Sequence, residues 1–310
     1  MDGLGVEILM SRAAMQAAHG DFHGAVRTLK QALSEDPDHA GAHAMLADML
    51  LAQKRLHAAR HEARVALQLE PNHPSALSAA ARVEMAHKQL DAAAEHLQRL
   101  LQLQPQEAVH HRLQAQLCAL RRDPAGRRSA LEHALTLDPE DEDTLAALAD
   151  EALDRGDVSA AEQYAQDALS RRPDHQDALV AMGHVLLRRG DLENAREHVI
   201  WALRQNPSDV GALHLLASLK ARENPLLGLW WRYSTWTNTL GDARQMLVVL
   251  GAFVVYRFLD IALGQWEMPR GQELASFCWY AMVAYTWVGP VWFQRMLAKE
   301  LSDVKLDDDF

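Results

Sequence analysis

The sequence predicts an all-α chain built from a repeated helix pair and closed by a C-terminal region of different character. Three observations lead there. Six prolines, Pro37, Pro71, Pro105, Pro139, Pro173 and Pro207, stand 34 residues apart without a slip. Small residues recur at fixed distances before each of them. Of the nineteen aromatic residues, sixteen fall after position 225, and only Phe22, Tyr164 and Trp201 precede it.

Each proline closes a similar helix end: "QALSEDP", "VALQLEP", "RLLQLQP", "HALTLDP", "DALSRRP" and "WALRQNP". Proline lacks the N–H that a helix interior needs and clashes with the preceding turn, so a helix stops at every one. Five residues earlier stand Ala32, Ala66, Ala134, Ala168 and Ala202, with Leu100 in the third unit; twelve earlier stand Ala25, Ala59, Ala93, Ala161 and Ala195. Twenty-four earlier stand Ala13, Ala47, Ala81, Ala115, Ala149 and Gly183. Small side chains at these points let helices approach closely. Gly20-Asp21, Gly156-Asp157 and Gly190-Asp191 mark a turn inside the unit, glycine for a left-handed conformation and aspartate to cap the next helix. The fourth unit departs from the pattern, with Arg127 where the others carry alanine and Arg121, Arg122 and Arg128 close by. A long cation there must reach outward, find a partner or displace the helix. Otherwise the four arginines form a solvated turn or meet an acidic partner or a lipid headgroup.

The 34-residue period, the small positions and the closing proline resemble the tetratricopeptide repeat (TPR). The resemblance covers residues 6–209 as six units, with 210–222 as a seventh first helix that caps the stack. It implies a right-handed superhelix of helix pairs whose first helices line a concave groove for a protein partner. The family's inward-facing positions fall here on Met10, Ala14, Ala44, Asp48, Leu51, Ser78, Arg82 and Met85, then on Arg112, Gln116, Ala146, Asp150, Leu153, Val180, His184, Leu187 and Arg188. Apolar floors with scattered charges suit a peptide or amphipathic helix. The paired Lys and Asn residues with which some members hold a C-terminal carboxylate are missing, which disfavours that ligand.

Composition narrows the function further. The chain holds 31 Lys and Arg against 42 Asp and Glu, a net charge of −11. Nucleic acid is thereby disfavoured as a partner, because phosphate binding needs a basic footprint. Cys118 and Cys278 lie far apart and suggest neither a disulfide framework nor a zinc site. His57 and His61 share a helix face at i,i+4, but no third ligand and no HExxH pattern accompany them. His19/His23 and His110-His111 are weaker pairs still. No nucleophile motif or phosphate-cradling glycine loop is present, so neither catalysis nor a cofactor is expected. The opening "MDGLGVEILMSRAAM" does not read as a secretory signal, so the repeats are expected in the cytoplasm.

After Pro225, Trp230, Trp231, Tyr233 and Trp236 arrive within a few residues, the type of side chain that settles at a headgroup boundary. Residues 274–294 carry no charge; at about 1.5 Å per residue they match a hydrocarbon core of about 30 Å. Gly289-Pro290 should kink this span. Residues 245–256 are also uncharged but are followed by Arg257 and Asp260, which at i,i+3 can neutralise one another or meet another subunit. Arginine and lysine flank both segments while Arg270 alone sits in the turn, so two spans with both ends inside are expected. The anticipated organisation is a repeat domain over 1–223, an aromatic interfacial junction over 224–244, a two-helix transmembrane hairpin over 245–298 and an acidic tail over 299–310. The hairpin half resembles bacterial repeat proteins that end in a membrane anchor. It implies a bacterial inner-membrane scaffold, non-catalytic, holding a protein partner against the lipid bilayer. A second reading is an accessory subunit whose hairpin packs among the subunits of a membrane complex, and a third is a soluble assembly whose apolar helices pack against one another.

Overall fold

The computed structural model describes residues 3–207, 209–223, 253–259, 261–263, 265, 271–273, 276–277 and 279–280. Among them all regular structure is helical. Thirteen helices run α1 Gly3–Ala18, α2 Phe22–Glu35, α3 Ala40–Ala52, α4 Leu56–Leu69, α5 Pro74–Ala86, α6 Leu90–Leu103, α7 Ala108–Leu120, α8 Pro124–Leu137, α9 Glu142–Arg155, α10 Val158–Arg171, α11 Gln176–Arg189, α12 Leu192–Gln205 and α13 Val210–Glu223. The chain divides into two compact units, Met1–Ala160 and Ala161–Phe310, with the division inside α10.

The period fixes both ends of every helix pair. At Asp36, Glu70, Asp138 and Asn206 the residue before the proline is extended, because the pyrrolidine ring disfavours the helical conformation there. That residue's N–H still closes the last turn, onto the carbonyls of Ala32, Ala66, Leu100, Ala134, Ala168 and Ala202 in the six repeats. Between the two helices of a pair a second turn recurs. In the first repeat Gly20 N–H bonds Ala17 O and Asp21 N–H bonds Gln16 O, and the same two bonds recur at 54–55, 88–89, 122–123, 156–157 and 190–191. This turn needs one left-handed residue. Gly20, Gly156 and Gly190 supply it, but at Lys54, Lys88 and Arg122 a side-chain-bearing residue adopts φ of 59°, 60° and 58°.

In the first compact unit, α3, α5, α7 and α9 pack successively along one row and the second helices pack behind them. The core follows the small-residue ruler. Ala25, Ala59, Ala13, Ala47, Ala81, Ala32, Ala66 and Ala134 are fully buried, and Leu29, Leu77, Leu100 and Leu131 fill the space they leave. Each such leucine contributes about 1.5–3 kcal/mol by leaving water. Arg127 breaks the ruler and is accommodated by ion pairing: its two terminal nitrogens each donate at 2.6 Å, one to Asp150 and one to Asp154 on α9. Burial works against its charge, but those two carboxylates outweigh it and raise its pKa further.

In the second compact unit α11, α12 and α13 pack around Leu179, Val199, Leu203, Leu215, Leu216 and Leu219. Gly183 replaces alanine because Leu215 lies so close that a Cβ would overlap its Cδ2. Further along, residues 253–259 are helical and approach the 276–280 segment. The Tyr256 ring stacks on Trp279 at 5.2 Å with 8° between planes, and its hydroxyl lies 3.2 Å from Ser276 Oγ. Phe258, Val255, Phe277 and Tyr280 point outward and are exposed. No helix among the described residues is long and apolar enough to cross a membrane. The junction 224–244, most of the expected hairpin 245–298 and the tail 299–310 lie outside the described residues.

Candidate functional site

A hollow of about 620 Å³ opens in the first compact unit along α1, α3, α5 and α7. Of the residues that the resemblance points inward, it gathers Met10, Asp48, Ser78 and Arg82. The helix period brings them together: Asp48 and Arg82 are 34 residues apart and occupy consecutive first helices. Arg82 Nε donates to Asp48 Oδ1 at 3.1 Å and Nη2 donates to Oδ2 at 2.7 Å. The fork leaves the other guanidinium hydrogens and the remaining lone pairs of Asp48 open to a ligand. Burial pushes the Asp48 carboxyl above its ordinary range, outweighing the attraction and hydrogen bonds of Arg82.

The rim comes from residues that the resemblance does not mark. Glu7, His39, Gly41, Met45, His73, Pro74, Ser75, Gln104, Val109 and His110 complete the lining. Most lie at or just before the amino ends of α3, α5 and α7, where the chain enters each first helix. His39 Nδ1 accepts from Ala42 N–H at 3.1 Å and so caps α3, while its Nε2 lies 3.6 Å from Glu7. His73 holds the same register at α5 without capping it, and its buried Nδ1 has no partner among the described residues. His110, 8% exposed, bonds Gln104 at 2.8 Å through Nε2. Burial lowers its pKa, more than Glu107 raises it, so the ring is neutral near pH 7. Residues 39, 73 and 107 share one repeat register at the entries of α3, α5 and α7, a signal in the sequence that could have found part of this rim.

A smaller hollow of about 320 Å³ adjoins it, since Val109 lines both. Its charges are Glu107, Arg112, Asp138 and Asp141. Arg112 is held by Asp141 and, at 3.1 Å, by Asp143. Asp150 is half spent on Arg127, and Gln116 is exposed. Leu51 is partly buried against the core, and Met85 and Leu153 are buried in it; Ala44 and Ala146 are buried and Ala14 is exposed. In the second compact unit Leu187 is buried, Arg188 is exposed, and His184 and Val180 are half-buried, the His184 ring 6.4 Å from His214.

The four-arginine turn is largely satisfied from within. Arg121 donates to Leu90 O and to Asp91, and Arg128 pairs with Glu132. The His57 ring lies 5.6 Å from His87, and His61 is exposed. Among the described residues no group of three His, Cys, Asp or Glu side chains is arranged to hold a metal ion. Burial and nearby Asp123 push the Cys118 thiol up, against the smaller pull of Arg121. Trp230, Trp231, Tyr233, Trp236 and Asp260 lie outside the described residues, and Arg257 is exposed on the 253–259 helix.

The tetratricopeptide repeat family matches the chain over residues 16–63, 50–117 and 152–222. No curated protein matches the chain. Among solved structures, PilF of Pseudomonas aeruginosa is similar with a TM-score of 0.51 at 19% identity, over 70% of this chain and 98% of that one. A thermophilic repeat protein of Thermus thermophilus gives 0.55 at 20% identity, over 59% and 99%. PilW, described as a widely conserved type IV pilus biogenesis factor, gives 0.53 at 17% identity, over 68% and 98%. At these identities the likeness is one of fold. Together the three matched segments take in more than half of the residues, and the chain belongs to the tetratricopeptide repeat family.

Proposed function

We propose that this chain is a membrane-anchored, non-catalytic scaffold that holds a protein partner in the hollow of its first compact unit. The observation that carries the reading is the meeting of Met10, Asp48, Ser78 and Arg82 in one cavity of about 620 Å³, with an ion pair at its wall. A cavity of that size, apolar at Met10 and Met45 and forked at Arg82, suits side chains of a peptide or a helix. Placement at a bilayer is supported by the uncharged run 274–294 and by the outward apolar side chains Phe258, 74% exposed, and Phe277, 72% exposed. The bacterial inner membrane, with repeats and C-terminus on the cytoplasmic side, is the setting that fits the flanking arginines and lysines.

Two measurements test the two halves. Ser78→Trp fills the hollow from a half-buried position, so tagged chain purified in mild detergent should lose its partner while keeping its helical circular dichroism. Retention of the same partner would place binding elsewhere. Carbonate washing of membranes should leave the chain in the pellet, and release without detergent would remove the anchor.

A second reading, an accessory subunit of a larger membrane complex, is favoured by Arg257 and Asp260 within an otherwise apolar stretch. Comigration with a large fixed complex on native gels, lost in Arg257→Leu, would select it.

A further inference from the structure

We infer that the partner segment bound in the first compact unit is basic, presenting lysine or arginine side chains to Asp48 and Glu7 and to the acidic group around Asp141. The inference rests on the groove reading above and names the chemistry of its occupant.

The two hollows share Val109 as a lining residue. Their ionisable lining, apart from histidine, is Glu7, Asp48, Glu107, Asp138 and Asp141 against Arg82 and Arg112. Acids therefore exceed bases by three along a surface where a partner must lie. The pairing itself repeats this excess. Arg112 is shared by Asp141 and Asp143, and Arg127, further along the same unit, is shared by Asp150 and Asp154. One guanidinium cannot saturate two carboxylates, each of which has about four lone-pair sites. Asp48 is the sharpest case. Its fork with Arg82 does not offset the burial of its carboxylate, so its pKa stays raised, and a further donor from a ligand would meet an unmet demand. An added carboxylate would meet the opposite: Arg82 is already bidentate with Asp48, and the surrounding acids would repel it.

The test selects random peptides displayed on phage against the full chain held in detergent micelles, and then measures Kd for the enriched sequences by fluorescence anisotropy. Enriched peptides should carry Lys or Arg, and replacing those residues by Ala should weaken binding about tenfold, the worth of one charged hydrogen bond. Asp48→Asn should do the same. Because that change also leaves Arg82 without its carboxylate, Glu7→Gln is the companion variant: Glu7 is exposed, and its carboxylate lies 3.6 Å from His39 Nε2. It should weaken the same peptides about threefold, within the range of a surface pair. Raising the salt concentration should weaken them too.

The outcomes separate cleanly. Peptides that are acidic or uncharged, yet lose binding in Ser78→Trp, overturn the basic partner and leave the groove reading standing. Peptides indifferent to Ser78→Trp, or no enrichment at all, overturn both.

Discussion

At the scale of single residues, the turn inside each helix pair is where sequence and conformation part. Six turns share one hydrogen-bond pattern, but only three of them hold glycine at the left-handed position. Gly20, Gly156 and Gly190 announce the turn in the sequence. Lys54, Lys88 and Arg122 do not, because nothing in their chemistry asks for positive φ, yet they close the same two hydrogen bonds. A side chain there costs about 1–2 kcal/mol against the right-handed alternative. Glycine removes that cost but adds freedom to the unfolded chain, returning about 0.5–1 kcal/mol. Lys54→Gly, Lys88→Gly and Arg122→Gly should therefore each stabilise the chain by about 0.5–1 kcal/mol. Urea unfolding is the measurement: the midpoint should rise with an unchanged slope, and a lower midpoint would mean the side chains make contacts worth more than the strain.

At the scale of the element, helix starts vary although helix ends do not. The residue after each left-handed turn caps the second helix. Asp21, Asp123, Asp157 and Asp191 accept from the N–H three residues on, whereas Arg55 and Gln89 in the same register offer no side-chain cap to α4 and α6. Both are exposed, so aspartate can enter without repacking. Arg55→Asp and Gln89→Asp should each add about 1 kcal/mol, seen as a rise in the thermal midpoint of the whole chain. The packing of α11 gives a prediction of opposite sign. Gly183 occupies the register of Ala13, Ala47 and Ala81, and a naive consensus would place alanine there. Its missing Cβ is instead space taken by Leu215, so Gly183→Ala should destabilise by about 1–3 kcal/mol. Adding Leu215→Val should recover part of the loss in the same melt. Gly183 stood in the sequence as one more small residue; that it is smaller than its register requires only appears once Leu215 of α13 is in place.

At the scale of the whole molecule, the repeat was legible because it is a period, and a period survives wide variation in the residues between its fixed points. The prolines, the buried alanines and the thirteen helix bounds all follow from it. The candidate site was legible only in part. Positions counted from the period located Asp48, Ser78 and Arg82, but Met85, Leu153 and Leu187 turn out to be core, since the same helix face alternates between groove and interior. His39, His73 and His110 were invisible as a set because they enter the site from loop-to-helix junctions rather than from the helix face. His110, together with His96 on α6, also bears on the stability of the molecule. Burial lowers the pKa of His110 and of His96 from the ordinary value of 6.5, against the pull of Glu107 on the first and of Glu84 and Glu95 on the second. A depressed histidine binds its proton more weakly folded than unfolded, so the unfolded chain takes up more protons as pH falls below about 6.5. The stability these rings contribute is complete above that value and is lost through the window below it. Asp48, raised, has the reverse sign: its contribution is complete at acid pH and is lost as pH rises through its folded value. The thermal midpoint should therefore fall between about pH 7.5 and 5.5, and His96→Gln with His110→Gln should make that fall shallower whatever it does to the midpoint at the upper end. Glutamine at 110 retains a donor for Gln104, so the comparison isolates the titration from the loss of the bond. A double variant whose midpoint falls as steeply as that of the parent would assign the acid sensitivity to other groups.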